Sequence, residues 1–116
     1  AEGLVSAAVP ISGLFDLRPL VATSINGLLG LDEAEAWRLS PLARRRPAGL
    51  LHALVGGAEG IEYETQSRRI AEAWEGQWES VKGHDHFTIP DELARPDGRI
   101  TAAICGVLGQ RGAGPY

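Results

Sequence analysis

Two short segments of this chain hold the side chains best suited to moving a proton between oxygen and nitrogen. Glu59 closes the run Leu54-Val55-Gly56-Gly57-Ala58-Glu59, and 27 positions later His86 lies within Gly83-His84-Asp85-His86-Phe87-Thr88. An acid on one strand-to-helix turn, followed by a histidine on the next, is the order of the last two members of a nucleophile–His–acid relay. A serine hydroxyl is a weak nucleophile until an imidazole nitrogen takes its proton. A carboxylate on the other ring nitrogen fixes the tautomer and stabilises the imidazolium that forms. The Gly-x-Ser-x-Gly elbow that would present such a serine does not occur in the 116 residues. The pattern reads as the back half of a hydrolytic site whose front half lies elsewhere.

Other chemistries compete for the same residues. Glu62 is the nearest rival to Glu59 as the acid. His84 and His86 share a face if their segment is extended, so a metal-binding pair is conceivable, but third and fourth ligands are not evident, and His52 lies inside an apolar run as a core histidine would. Val55-Gly56-Gly57-Ala58-Glu59-Gly60 matches two glycines of a dinucleotide-binding loop, with Val55 where the first glycine belongs, and Glu79 about twenty residues on keeps that alternative open. A carboxylate beside a pyrophosphate would be repelled. Cys105 falls next to an apolar helical stripe with nothing to lower its pKa, so a packing role is expected. Ser12 and Ser40 sit at a strand end and in a Ser-Pro turn, which are structural positions.

The elements that must position these residues alternate between strand and helix. Leu4 to Gly13 is an apolar run without alternation, the pattern of a parallel strand buried on both faces. Leu50 to Val55 is a second, ended by a glycine pair that permits a sharp exit, and a weaker third runs from about Trp78 to Lys82. Asp32 is an N-cap candidate for a helix through Trp37, and Tyr63, Ser67, Ile70 and Trp74 fall on one face of segment 62–76. Ile100, Ala103, Ile104, Val107 and Leu108 follow the helical period behind the cap candidate Asp97, with Gly112 at the end and a loose tail through Tyr116. This alternation predicts an α/β layer with a parallel sheet. Three strands leave both sheet edges unpaired, so the N-terminal strand is expected to pair with a partner segment.

The length suits one small domain able to bury roughly two-thirds of its unfolded surface. A net charge of −4 argues against nucleic acid as a partner, and Arg44-Arg45-Arg46 reads as a short solvated loop face. The single cysteine excludes an intrachain disulfide and fits a cytoplasmic setting. Neither a membrane span nor a signal peptide is visible.

Five pieces occur in a shared order: Pro10-Ile11-Ser12-Gly13-Leu14-Phe15-Asp16-Leu17-Arg18-Pro19-Leu20, Asn26, Ser40-Pro41, Val55-Gly56-Gly57-Ala58-Glu59 with Gln66-Ser67, and His84-Asp85-His86-Phe87. Together they resemble the C-terminal half of α/β-hydrolases of the kynurenine formamidase (arylformamidase) and related esterase group. The resemblance implies that residues 1–116 form the C-terminal segment of one α/β-hydrolase domain, with Glu59 after the seventh sheet strand of the family and His86 after the eighth. Members often carry Asp then Ser at the acid turn, where this chain has Glu59-Gly60. By the same resemblance the complete enzyme hydrolyses an ester or an aryl formamide, such as N-formylkynurenine in tryptophan catabolism, through an acyl-enzyme. It needs no cofactor, and takes its serine from a missing N-terminal half or a second polypeptide; no metal is expected, since ligands beyond His84 and His86 are not evident. The competing reading is a non-catalytic structural or binding subunit that completes another chain.

Overall fold

The computed structural model describes residues 4–112, so the tail 113–116 that the sequence marks as loose lies outside the described residues. Three parallel strands, β1 (Ala7–Ala8), β2 (Leu50–Gly56) and β3 (Gln77–Val81), form a sheet in the order β1-β2-β3. Before β2 come two short helices, α1 (Asn26–Leu29) and α2 (Glu33–Leu39); α3 (Ile61–Ala73) joins β2 to β3, and α4 (Arg99–Gly112) closes the order. The fold is an α/β layer with helices on both faces of the sheet.

Central β2 explains why the segment Leu50 to Val55 lacks polar alternation. Leu51, Ala53 and Ile70 pack with Phe15 beneath α3, whereas Leu54 packs with Val81, Ile89, Ile100 and Ala103 beneath α4. With both faces of the strand covered, both sets of side chains must be apolar. On α3, Ser67 and Ile70 are fully buried and Tyr63 and Trp74 half-buried, as the helical period predicts. Asp32 caps α2 by accepting the Glu35 amide hydrogen at 2.7 Å.

Elsewhere the elements differ from the pattern. The long first strand contracts to two residues, with Leu4 81% and Val5 63% exposed. Pro10 has no amide hydrogen to give the ladder, although its carbonyl accepts from Leu54 at 2.9 Å. Pairing resumes as a single bridge, Ile11 to Leu54, before Ser12 turns the chain with φ at 52°. Strand β3 runs one residue earlier than the sequence suggests. Asp97 is not the cap of α4: its side chain lies in solvent near Arg95, and the Gly98 carbonyl instead accepts the first helical amide, from Ala102 at 2.9 Å. Leu108, predicted for the apolar stripe, is 60% exposed, and Cys105, expected to pack, is exposed as well.

Gly98 fits where it does because it has no side chain. A Cβ there would sit 1.8 Å from the Glu92 carbonyl oxygen, so α4 could not approach the preceding turn. Gly98→Ala should therefore cost about 1–3 kcal/mol of stability, read as a lowered urea midpoint. Gly106→Ala, where nothing lies within 4 Å, should gain up to about 1 kcal/mol. Equal midpoints for the two variants would sink this account of the α4 entry.

Candidate active site

Each strand of the sheet delivers one loop to its C-terminal edge, where open α/β sheets bind their ligands. The exit of β2 is a tight turn docked on the exit of β3: Gly57 donates to the Val81 carbonyl at 2.8 Å and Ala58 to the His84 carbonyl at 2.9 Å. A Cβ on Gly56 would approach the His84 oxygen to 2.4 Å, so glycine is needed for the two turns to meet.

The turn folds the Glu59 side chain back under itself. Its side chain has no solvent exposure, and Oε2 accepts the Gly56 amide hydrogen at 2.6 Å together with the Ser12 hydroxyl. Oε1 faces Nδ1 of His86 at 2.8 Å. Burial pushes this carboxyl upward, but the hydrogen bonds from Ser12, Gly56 and His86 outweigh it and hold its pKa below the ordinary 4.5. Glu59 is therefore a buried anion with three donors.

His86 owes its place to its neighbours in the loop. Gly83 turns the chain at φ 85°, a left-handed angle suited to glycine. Asp85 Oδ1 then accepts amide hydrogens from Phe87 at 2.8 Å and Thr88 at 2.9 Å, while the Thr88 hydroxyl accepts the Asp85 amide hydrogen at 3.0 Å. This reciprocal pairing resembles a capping box, and it closes the turn 85–88, which contains His86 and leads into the 3-10 turn Ile89–Leu93. The same amide donors hold the Asp85 carboxyl below its usual range. The imidazole rests against Tyr63, ring centroids 5.4 Å apart, and the edge of Phe87, 5.7 Å away. It is half-exposed, and Nε2 has no partner among the described residues.

The other candidates separate clearly from this pair. His84 turns away, with Nδ1 3.1 Å from the Thr88 hydroxyl and Nε2 3.8 Å from Glu92. Glu62 accepts from Gln66 at 3.0 Å. His52 lies 3.4 Å from Glu79 on the neighbouring strand. Among the described residues no three His, Cys, Asp or Glu are arranged to hold a metal ion. Ser40 is structural, donating to the Ala36 carbonyl at 2.7 Å and accepting from Leu17 at 2.8 Å. A cavity of about 250 Å³ opens at the opposite end of the strands. Both its arginines are already engaged, Arg46 by Glu75 at 2.7 Å and Arg99 by Glu79 at 3.1 Å.

The residue that the sequence reading missed is Ser12, which is 8% exposed and bonded to the acid across 47 positions. No local pattern announces a contact of that span.

No family model matches the chain. A kynurenine formamidase from Danio rerio is 26% identical over 117 aligned residues, covering 91% of this chain and 40% of the relative. A crystal structure of a candidate thioesterase from a Silicibacter species matches with a TM-score of 0.78 and 33% identity, over 84% of this chain and 37% of that one. The likeness carried by the five motifs thus extends over most of the chain, which spans about 40% of the length of the relatives it matches.

A folded-state pKa below the unfolded one means that Glu59 contributes stability above the ordinary value of 4.5, and loses it as pH falls through the lower folded value. Glu59→Gln should accordingly be less stable than the wild type at pH 7, by about 1–3 kcal/mol for the disturbed buried bonds. The gap should narrow in acid. Denaturant melts at several pH values test this, and a gap that stayed constant down to pH 3 would contradict the buried anion.

Proposed function

We propose that this chain supplies the acid and the histidine of a serine-hydrolase relay, Glu59 orienting His86 and His86 acting as general base. The observation that carries the reading is the 2.8 Å contact between Nδ1 of His86 and a carboxylate oxygen that is otherwise locked in place. With Nδ1–H held by Glu59, Nε2 is the nitrogen free to take a hydroxyl proton and later return it to the leaving group. The names of the relatives, a kynurenine formamidase and a candidate thioesterase, both belong to acyl-transfer chemistry.

On this reading residues 1–116 are the C-terminal segment of an α/β-hydrolase domain. The nucleophile and oxyanion donors come from a second polypeptide or from a further stretch of the same protein. Three features support such a partner: the relatives match over about 40% of their length, the outer edge of β1 is unpaired among the described residues, and Ile25, Leu28 and Leu29 around α1 are half-exposed or more. The substrate is a small ester or aryl formamide of the N-formylkynurenine kind. Phe87, 86% exposed, and Tyr63 offer aromatic surface beside the imidazole for a planar group. No helix among the described residues is long and apolar enough to cross a membrane. The lone cysteine suits a reducing compartment, and on that ground we propose a cytoplasmic setting.

The isolated chain should not hydrolyse p-nitrophenyl acetate or N-formylkynurenine above the rate of a generic protein, because an imidazole–carboxylate pair lacks a nucleophile and an oxyanion hole. Once a serine-elbow segment is supplied by co-expression or fusion, His86→Ala should lower kcat by roughly 10⁴-fold or more. Glu59→Gln should hurt less than this but more than Glu62→Gln, and His84→Ala serves as the control. A fatal His84→Ala beside a mild His86→Ala would reverse the assignment. If neither mattered, the hydrolase reading would fail while the fold stood.

A further inference from the structure

Ser12 occupies a backbone conformation that serine rarely adopts. Its φ of 52° lies in the left-handed region, where a Cβ is crowded and glycine or asparagine is the usual occupant. The backbone there is held independently of the side chain, since Ser12 donates its amide hydrogen to the Leu54 carbonyl at 2.8 Å and Ile11 bridges to Leu54. Gly13 fixes the next step, because a Cβ there would strike the Phe15 ring at 2.5 Å. A glycine at position 12 would follow the same path without strain. What serine adds is a hydroxyl, and that hydroxyl donates to Oε2 of Glu59.

The terminal torsion of a glutamate is soft, with a broad distribution about the carboxyl plane. A carboxylate one methylene longer than aspartate needs a tether if one particular oxygen is to face a histidine. Two donors from different loops meet Oε2, the Gly56 amide from the β2 exit and Ser12 from the β1 exit, and this leaves Oε1 for Nδ1 of His86.

We propose that Ser12 is a positioning residue for the Glu59–His86 pair, its hydroxyl clamping the carboxylate so that Oε1 fixes the Nδ1–H tautomer of the imidazole. This rests on the relay reading above. Ser12 is not the nucleophile in this account: its proton goes to the carboxylate, and the residue is buried on the acid side of the histidine. Removing the hydroxyl leaves an acceptor site on Oε2 unfilled in a buried place and frees the carboxyl to rotate.

The test uses the 116-residue chain with ¹⁵N-labelled histidine, whose ring-nitrogen shifts report the tautomer of His86 at neutral pH, alongside thermal melts. The wild type should hold His86 mainly as Nδ1–H. Ser12→Gly should raise the Nε2–H population at least about threefold while moving Tm little, since relief of the strained φ opposes the loss of one buried hydrogen bond. Ser12→Thr should do the reverse, keeping the Nδ1–H form because it keeps a hydroxyl, while lowering Tm. If Ser12→Gly folds and leaves the tautomer ratio untouched, the clamp is refuted and serine is merely a turn residue. Should Ser12→Gly fail to fold, an unaltered ratio in Ser12→Ala refutes it equally. A wild-type chain with no Nδ1–H preference would show that Glu59 and His86 do not pair, which overturns the relay reading itself and not the clamp alone.

Discussion

A carboxylate removed entirely from water survives only if its oxygens are satisfied by donors, because an uncompensated buried charge costs several kcal/mol. Glu59 meets that condition with one amide, one hydroxyl and one imidazole. The three donors come from the exits of three different strands, so the demand of one side chain fixes how three loops sit against one another. The glycine at 56 follows from the same demand, since the acid turn has to press against the His84 carbonyl before His86 can reach the carboxylate. Local chemistry at the sheet edge thereby becomes a tertiary constraint.

The same device recurs through the chain with neutral and charged partners. Gln66, buried on α3, accepts the amide hydrogens of Phe15 and Asp16 at 2.9 and 2.8 Å and returns a hydrogen bond to the Asp16 carbonyl. Asp16 in turn bonds Arg18 and Arg69, which hold its carboxyl far below the usual range against the pull of burial. Asn26 ties Val21, Leu31 and its own helix end together. Such side chains serve loops, whose backbone groups find no ladder or helix to satisfy them.

This explains which parts of the molecule were legible in the sequence. The motif residues Ser12, Asp16, Asn26, Ser40, Gln66 and Glu59 are polar side chains that fasten long irregular segments. Strand β2 could be read from its unbroken apolar run, because both its faces are covered, and helix α3 from its hydrophobic period. Glu59 and His86, singled out by their order and their turns, stand 2.8 Å apart. What stayed hidden depended on pairs far apart in the chain: the contraction of β1 at Pro10, the hydroxyl of Ser12 on Glu59, and the glycine entry to α4 dictated by the Glu92 carbonyl. The exposure of Leu108 and Cys105 was hidden for a related reason, since a helical stripe marks a face without saying how much of it a neighbour covers.

The order β1-β2-β3 also bears on how the site is assembled in time. Glu59 and His86 belong to one β–α–β unit, and the contact between them closes a loop of 27 residues; the Ser12 contact closes 47. The entropic difference between two such closures is below about 0.6 kcal/mol. Loop length therefore does little to delay Ser12. The delay comes from its strand, which offers two paired residues and one bridge where β3 offers five pairs. Acid and histidine can meet as soon as β2, α3 and β3 condense, and the carboxylate acquires its last donor only when β1 docks. The first strand is thus the late step in folding, and a fluctuation that lifts it from the sheet would loosen the acid without parting it from the histidine.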